Sequence, residues 1–181
     1  MQRQIAGTFL LLLLLVSCTP HFDPKTVHSD QEKLYTLLMR TNSHIDPAEA
    51  RTISREAIHY SRELASRYHV STPPLVHNFL TNVGIKNRGL CYQWSDDLYL
   101  HLQKFHFKTI SLQPVGAHVG SYWLEHNALV ALPRHTKNLA SGILLDPWRA
   151  SGKLYFAPIL KDPKYQWKIR TDRCDIYQSG K

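Results

Sequence analysis

Apolar residues return every three or four positions along the front half of this chain and every second position along much of the back half. From Asp30 to Arg40, Leu34, Leu37 and Leu38 share one helical face. Asp46-Pro47-Ala48-Glu49 has an Asp cap, Pro at the first helical position and Glu three residues after the cap. It predicts a helix to about Arg67, since Ala50, Ile53, Ala57, Tyr60, Leu64 and Tyr68 recur at helical spacing. A third helix is expected from Pro74 to Val83, ending at Gly84. A fourth should run from Cys91 to Phe105, with Leu98, Leu102 and Phe105 along one side.

The period then drops to two. Phe107 to Leu112 alternates as a strand does, and 116–120 should be a turn. Ser121 to Leu132 is the clearest strand, with Tyr122, Leu124, His126, Ala128, Val130 and Leu132 on the face expected to meet the helices. Gly142 to Trp148 and Leu154 to Ile159 should be two more strands, and Gln166 to Arg170 another. Helices followed by strands predict an α+β domain, with N-terminal helices packed on a mainly antiparallel sheet.

The extreme N-terminus does not belong to that domain. MQRQIAGTFLLLLLLVSC has a basic start at Arg3 and an apolar run from Phe9 to Val16, shorter than the roughly 20 residues of a spanning helix and suited to a secretory signal. Leu15-Val16-Ser17-Cys18 resembles the lipobox of bacterial lipoproteins, which implies cleavage before Cys18 and a lipid on its sulfur. Thr19 rather than Asp after that cysteine suggests the outer membrane, with the chain facing the periplasm. The expected division is 1–17 signal, 18–29 lipidated tether and 30–181 one domain. About 160 residues suffice for one core and are too few for two ordinary domains.

Without residues 1–17 the chain keeps 21 Lys and Arg against 14 acids, a charge of +7 with histidines neutral. Anionic lipid or acidic cell-wall polymers would be attracted to it. The bases are single and scattered, without the blocks or aromatic interleaving of a nucleic-acid groove, so no nucleic-acid partner is expected. If Cys18 is lipidated, Cys91 and Cys174 remain in a compartment that permits disulfides, and their pairing is one reading of Cys91.

The other reading is chemical. Cys91 stands where a helix should begin, and unpaired N–H groups and the dipole at a helix N-terminus favour a thiolate. His126, mid-strand, could serve as the base, and Asp146 in Leu145-Asp146-Pro147 could orient it. Eleven histidines invite a metal, yet there is no His-Glu-x-x-His and no Cys-x-x-Cys. His101 and His106 are poorly spaced for a shared ion, and His118, His126 and His135 could converge only through the fold. Neither metal nor cofactor is expected. Trp94, Trp123 and Trp148 lie in or beside these segments, as groove lining or as core.

Gly89-Leu90-Cys91-Tyr92-Gln93-Trp94, Glu125-His126-Asn127-Ala128 and Leu145-Asp146-Pro147 resemble, in order and spacing, the transglutaminase-like superfamily of papain-type cysteine enzymes. The resemblance covers 88–148 and implies a Cys91, His126, Asp146 site on a papain/transglutaminase-like core. It implies a peptidase or amidase acting through a thioester on a peptide, protein or cell-wall amide, which the lipobox would anchor to a membrane. Asn127, Ala128 and Leu129 stand where the family often has an aromatic residue. No calcium-site carboxylate cluster is present, so protein cross-linking is not implied. A non-catalytic lipoprotein module of the same fold, binding cell wall or a protein, is the alternative.

Overall fold

The computed structural model describes residues 23–121, 123–136 and 138–171. Cys18, Tyr122 and Cys174 lie outside them, as do the signal and lipobox. Four α-helices and five strands are described: α1 Pro24–Met39, α2 Pro47–Arg67, α3 Pro74–Asn82, α4 Cys91–Gln103, β1 Ile110–Ala117, β2 His126–Pro133, β3 Ile143–Asp146, β4 Tyr155–Pro158 and β5 Lys168–Ile169. The strands form one antiparallel sheet in the order β4-β3-β2-β1-β5. The chain is α+β, with helices packed against the sheet.

Each helix starts where local chemistry permits it. Asp46 accepts from the Ala48 N–H at 2.7 Å, and Pro47 opens α2 at the position where a missing N–H costs nothing. α1 begins at Pro24, not at Asp30, so 24–29 are its first turns rather than tether. The reason is a second Asp-Pro start: Asp23 accepts from the Lys25 N–H at 3.1 Å and from the Thr26 hydroxyl at 3.2 Å. No helix among the described residues is long and apolar enough to cross a membrane.

The two sheet faces bury different clusters. Leu129 and Ala131 of β2, with Ile143 and Leu145 of β3, meet Leu34, Leu38, Ile53, Leu64, Leu98 and Leu102 of the helices. Val115, Ala128, Val130, Leu132, Leu144 and Ile159 form a smaller cluster on the opposite face. This reverses the expected orientation of β2: the parity of His126, Ala128 and Val130 points away from the helices, and that of Asn127, Leu129 and Ala131 points toward them. All eight residues of β2 are buried, so hydrophobicity alone could not tell its faces apart.

β2 is also shorter than expected. Residues 123–125 satisfy the alternating pattern yet turn away from the sheet, and the Leu124 and Glu125 N–H groups donate to the Ser121 carbonyl at 3.2 and 2.9 Å. Trp123 and Leu124 project from it, 80% and 62% exposed. β1 starts at Ile110 rather than Phe107, because Glu49 of α2 takes the Lys108 and Thr109 N–H groups at 2.5 and 2.8 Å. A ladder partner is thereby replaced by a carboxylate, and α2 is tied to the head of the sheet.

Candidate active site

Cys91 is the first residue of α4, and its turn is held from four sides. The Gln93 side chain accepts from the Gly89 and Leu90 N–H groups at 2.7 and 3.0 Å, the reciprocal half of a capping box whose cap residue, Leu90, has no acceptor of its own. The Trp94 indole donates to the Gly89 carbonyl at 2.9 Å. Arg88 pairs with Asp97 at 2.5 Å, and the Tyr68 hydroxyl donates to the same carboxylate at 2.6 Å. Buried His77 accepts from the Ser71 N–H at 3.0 Å through Nδ1, so its Nε2–H donates to the Arg88 carbonyl at 2.9 Å. Gly89 has φ +122°, and a Cβ there would lie 2.2 Å from His77 Nε2. Only glycine fits this turn.

His126 opens β2 and Asp146 closes β3, so adjacent strands carry both to one end of the sheet. His126 Nε2 and Asp146 Oδ2 are 2.7 Å apart, with the residues 2% and 0% exposed. Asp146 also accepts from the Arg149 backbone N–H at 3.1 Å and from Arg149 Nε at 2.9 Å. It has three donors and no solvent. Arg149 in turn forks onto Asp162 at 2.9 and 2.7 Å. Trp148, Tyr165 and Trp167 surround the imidazole, with ring centroids 4.7, 4.8 and 5.4 Å away.

Burial alone would lower the His126 pKa, but the Asp146 carboxylate outweighs it and, with a smaller contribution from Cys91, lifts the value to about 9. Burial pushes the Asp146 carboxyl up, while His126 and Arg149 together bring it below its ordinary value. Asp162, opposed in the same way by burial, is brought to about 2 by Arg149, the Lys164 N–H and the Trp167 indole. The second ring nitrogen, His126 Nδ1, is buried and makes no hydrogen bond with a described residue.

The Cys91 thiol donates to the Glu125 carbonyl at 3.6 Å, and the Asn127 amide donates to Sγ at 3.7 Å. The residues on either side of His126 therefore both touch the sulfur. Cys91 is 9% exposed and forms no disulfide with a described residue. It lies in a groove of about 550 Å³ whose lining includes Leu75, Asn78, Leu90, Tyr92, Trp123 and Asn127. The three candidate residues expected from the sequence thus stand at one end of the sheet, with the imidazole between a carboxylate and a thiol.

Of the three tryptophans, Trp123 alone lines the groove. Trp94 is core, and Trp148 packs on His126 while its indole donates to Asn78 of α3 at 3.0 Å. His101 stacks on Tyr60 at 3.9 Å and meets Glu56 at 3.1 Å. Among the described residues no three His, Cys, Asp or Glu side chains group as a metal site. Sequence reasoning missed Asn127, Arg149 and Arg170. A polar Asn inside the buried run His126 to Leu132, and an Arg closing Asp146-Pro147-Trp148-Arg149, were the available signals.

No family model matches the chain, and no solved structure matches it. Among curated proteins, a stretch of 104 residues is 36% identical to the DNA mismatch repair protein MutL of Mannheimia succiniciproducens, over 52% of this chain and 15% of that protein. The chain therefore spans less than a sixth of that relative's length, and no family follows from the match.

Proposed function

We propose that this chain is a transglutaminase-like cysteine hydrolase, a peptidase or amidase that opens an amide through a thioester on Cys91. The observation that carries the reading is the state of His126: Nε2 is held by a buried carboxylate, and Nδ1 is buried without a partner beside a helix-start thiol. Asp146 fixes the tautomer and supports the positive ring. With its pKa raised to about 9, His126 carries a proton at neutral pH; the proposed attack is by Cys91 as a thiolate beside that ring.

The Cys91 sulfur adds to the substrate carbonyl carbon, and the π pair moves to oxygen. Collapse of that oxyanion breaks the C–N bond, with His126 Nδ1–H giving its proton to the departing amine. The neutral imidazole then takes a proton from water as the water oxygen attacks the thioester. A carboxylic acid leaves, and thiolate and imidazolium are restored. The groove lining is apolar and amide-rich, and its one charged member among the described residues, Glu125, is paired with Arg170. It suits a neutral acyl group with aliphatic or aromatic side chains.

The lipobox supports a lipid on Cys18, an outer-membrane anchor and action in the periplasm. The test is trapping. Incubation with casein-like proteins and cell-wall peptides, quenched in acid, should leave an acyl adduct on Cys91 by mass spectrometry. Cys91→Ser should give no thioester and no turnover. Cleavage that persists in Cys91→Ser would remove the proposal.

A further inference from the structure

Asn127 is 4% exposed and sits on the helix-facing side of β2. Its Oδ1 accepts from Arg170 NH1 at 2.6 Å, and its Nδ2 donates to Cys91 Sγ at 3.7 Å and to Glu125 Oε1 at 3.4 Å. Guanidinium has no acceptor, so the end of the amide at Arg170 must be the oxygen and the end at Cys91 must be the NH2. Arg170 is itself 7% exposed and is anchored a second time on Glu125 Oε1 at 2.6 Å. The Glu125 carboxyl, raised by burial but lowered further by the Gly120 N–H and Arg170, stays ionised to hold it.

Three strands build this arrangement. β5 pairs with β1, and the Arg170 N–H donates to the Pro114 carbonyl at 3.0 Å, which places Arg170 at the far edge of β1. Its side chain must cross β1 to reach Asn127 on β2. The residue of β1 directly opposite Asn127 is Gly116. A Cβ at Gly116 would stand 2.5 Å from Arg170 Cδ and 3.1 Å from its Cγ. The glycine is the passage through which the guanidinium reaches the amide.

We propose that Asn127 is a catalytic residue whose Nδ2–H, together with the Cys91 backbone N–H, receives the oxyanion formed in attack on the substrate carbonyl, and that Arg170 is its positioning residue. The inference rests on the cysteine-hydrolase reading. The oxyanion forms on the carbon bonded to Sγ, so its donors must border the sulfur. Among the described residues Sγ has two such polar neighbours in its hydrogen bonds. The Glu125 carbonyl is an acceptor and repels an oxyanion, whereas Asn127 is a donor already aimed. The Cys91 N–H, first in its helix, has no intrahelical acceptor and completes the pair. The Arg170 charge on Oδ1 draws electron density from the amide and strengthens its N–H groups as donors.

Two reactions of the same thiol separate this role from a structural one. Acylation by p-nitrophenyl acetate passes through an oxyanion, and alkylation by iodoacetamide does not. Rapid-mixing measurement of both, on the folded chain, should show Asn127→Ala lowering the acylation rate about 10²- to 10³-fold, with alkylation far less affected. Gly116→Ala keeps the Asn127 side chain in the protein but displaces the Arg170 that positions it; it should lower acylation selectively as well, and it decides the matter should Asn127→Ala not fold. Acylation at the wild-type rate in Asn127→Ala, or acylation and alkylation falling in equal proportion in both variants, would overturn the assignment. His126→Ala reports on the underlying reading: if both rates survive it unchanged, the hydrolase itself is refuted, whatever Asn127 does.

Discussion

His126 and Asp146 exchange a charge-assisted hydrogen bond in a place where neither meets solvent. A folded-state pKa near 9 against an ordinary 6.5 means that folding stabilises the protonated ring. That contribution is complete below about pH 6.5 and is lost as pH rises through about 9. Urea midpoints measured from pH 6 to pH 10 should fall across this window. In Asp146→Asn the fall should vanish, because the asparagine no longer raises the ring's pKa. Cys91, His126 and Asp146 were legible as a set because each occupies a patterned position: a helix start, a strand and an Asp-Pro. Arg170 and Asn127 were not, since 43 residues separate them and only strand pairing makes them neighbours.

The decisive element is the turn that leads into α4. Two substitutions separate its backbone requirement from its cap. Gly89→Ala forces a side chain into positive φ and against the His77 ring, whose Nε2 would lie 2.2 Å from the new Cβ. A loss of about 1–3 kcal/mol by chemical denaturation is expected, accompanied by slower alkylation of Cys91. Gln93→Ala removes the acceptor of two N–H groups and should cost about 1 kcal/mol while leaving the turn's path intact. Sequence patterning placed the core of every helix and of the other strands, but it caught only the first three residues of β1 and read 116–120 as a turn where β1 runs on to Ala117, and it missed ends that depend on specific acceptors. Asp23 starts α1 early, Glu49 delays β1, and the Ser121 carbonyl turns 123–125 out of β2. Hydrophobic periodicity carries no information about such bonds.

At the scale of the molecule, helices before strands announced an α+β layer arrangement, and the sheet has that form. The order β4-β3-β2-β1-β5 was not legible, because β5 has only two residues and joins the far edge. Leu98 of α4 and Leu129 of β2 are both fully buried where helix and sheet meet. Leu98→Ala should cost about 2–5 kcal/mol in equilibrium unfolding, through lost burial and a residual cavity. That layer contact seats α4 on β2, and so brings the helix-start thiol to the strand end that carries His126. On the proposed function, this placement makes Cys91 a nucleophile rather than one half of a bridge to Cys174. Time-resolved mass spectrometry of the intact chain with iodoacetamide near pH 7 tests it most directly. Rapid, single-site labelling at Cys91 that slows at least tenfold in His126→Ala is expected. Recovery of Cys91 disulfide-linked to Cys174 with no labelled fraction, or labelling indifferent to His126→Ala, would contradict it.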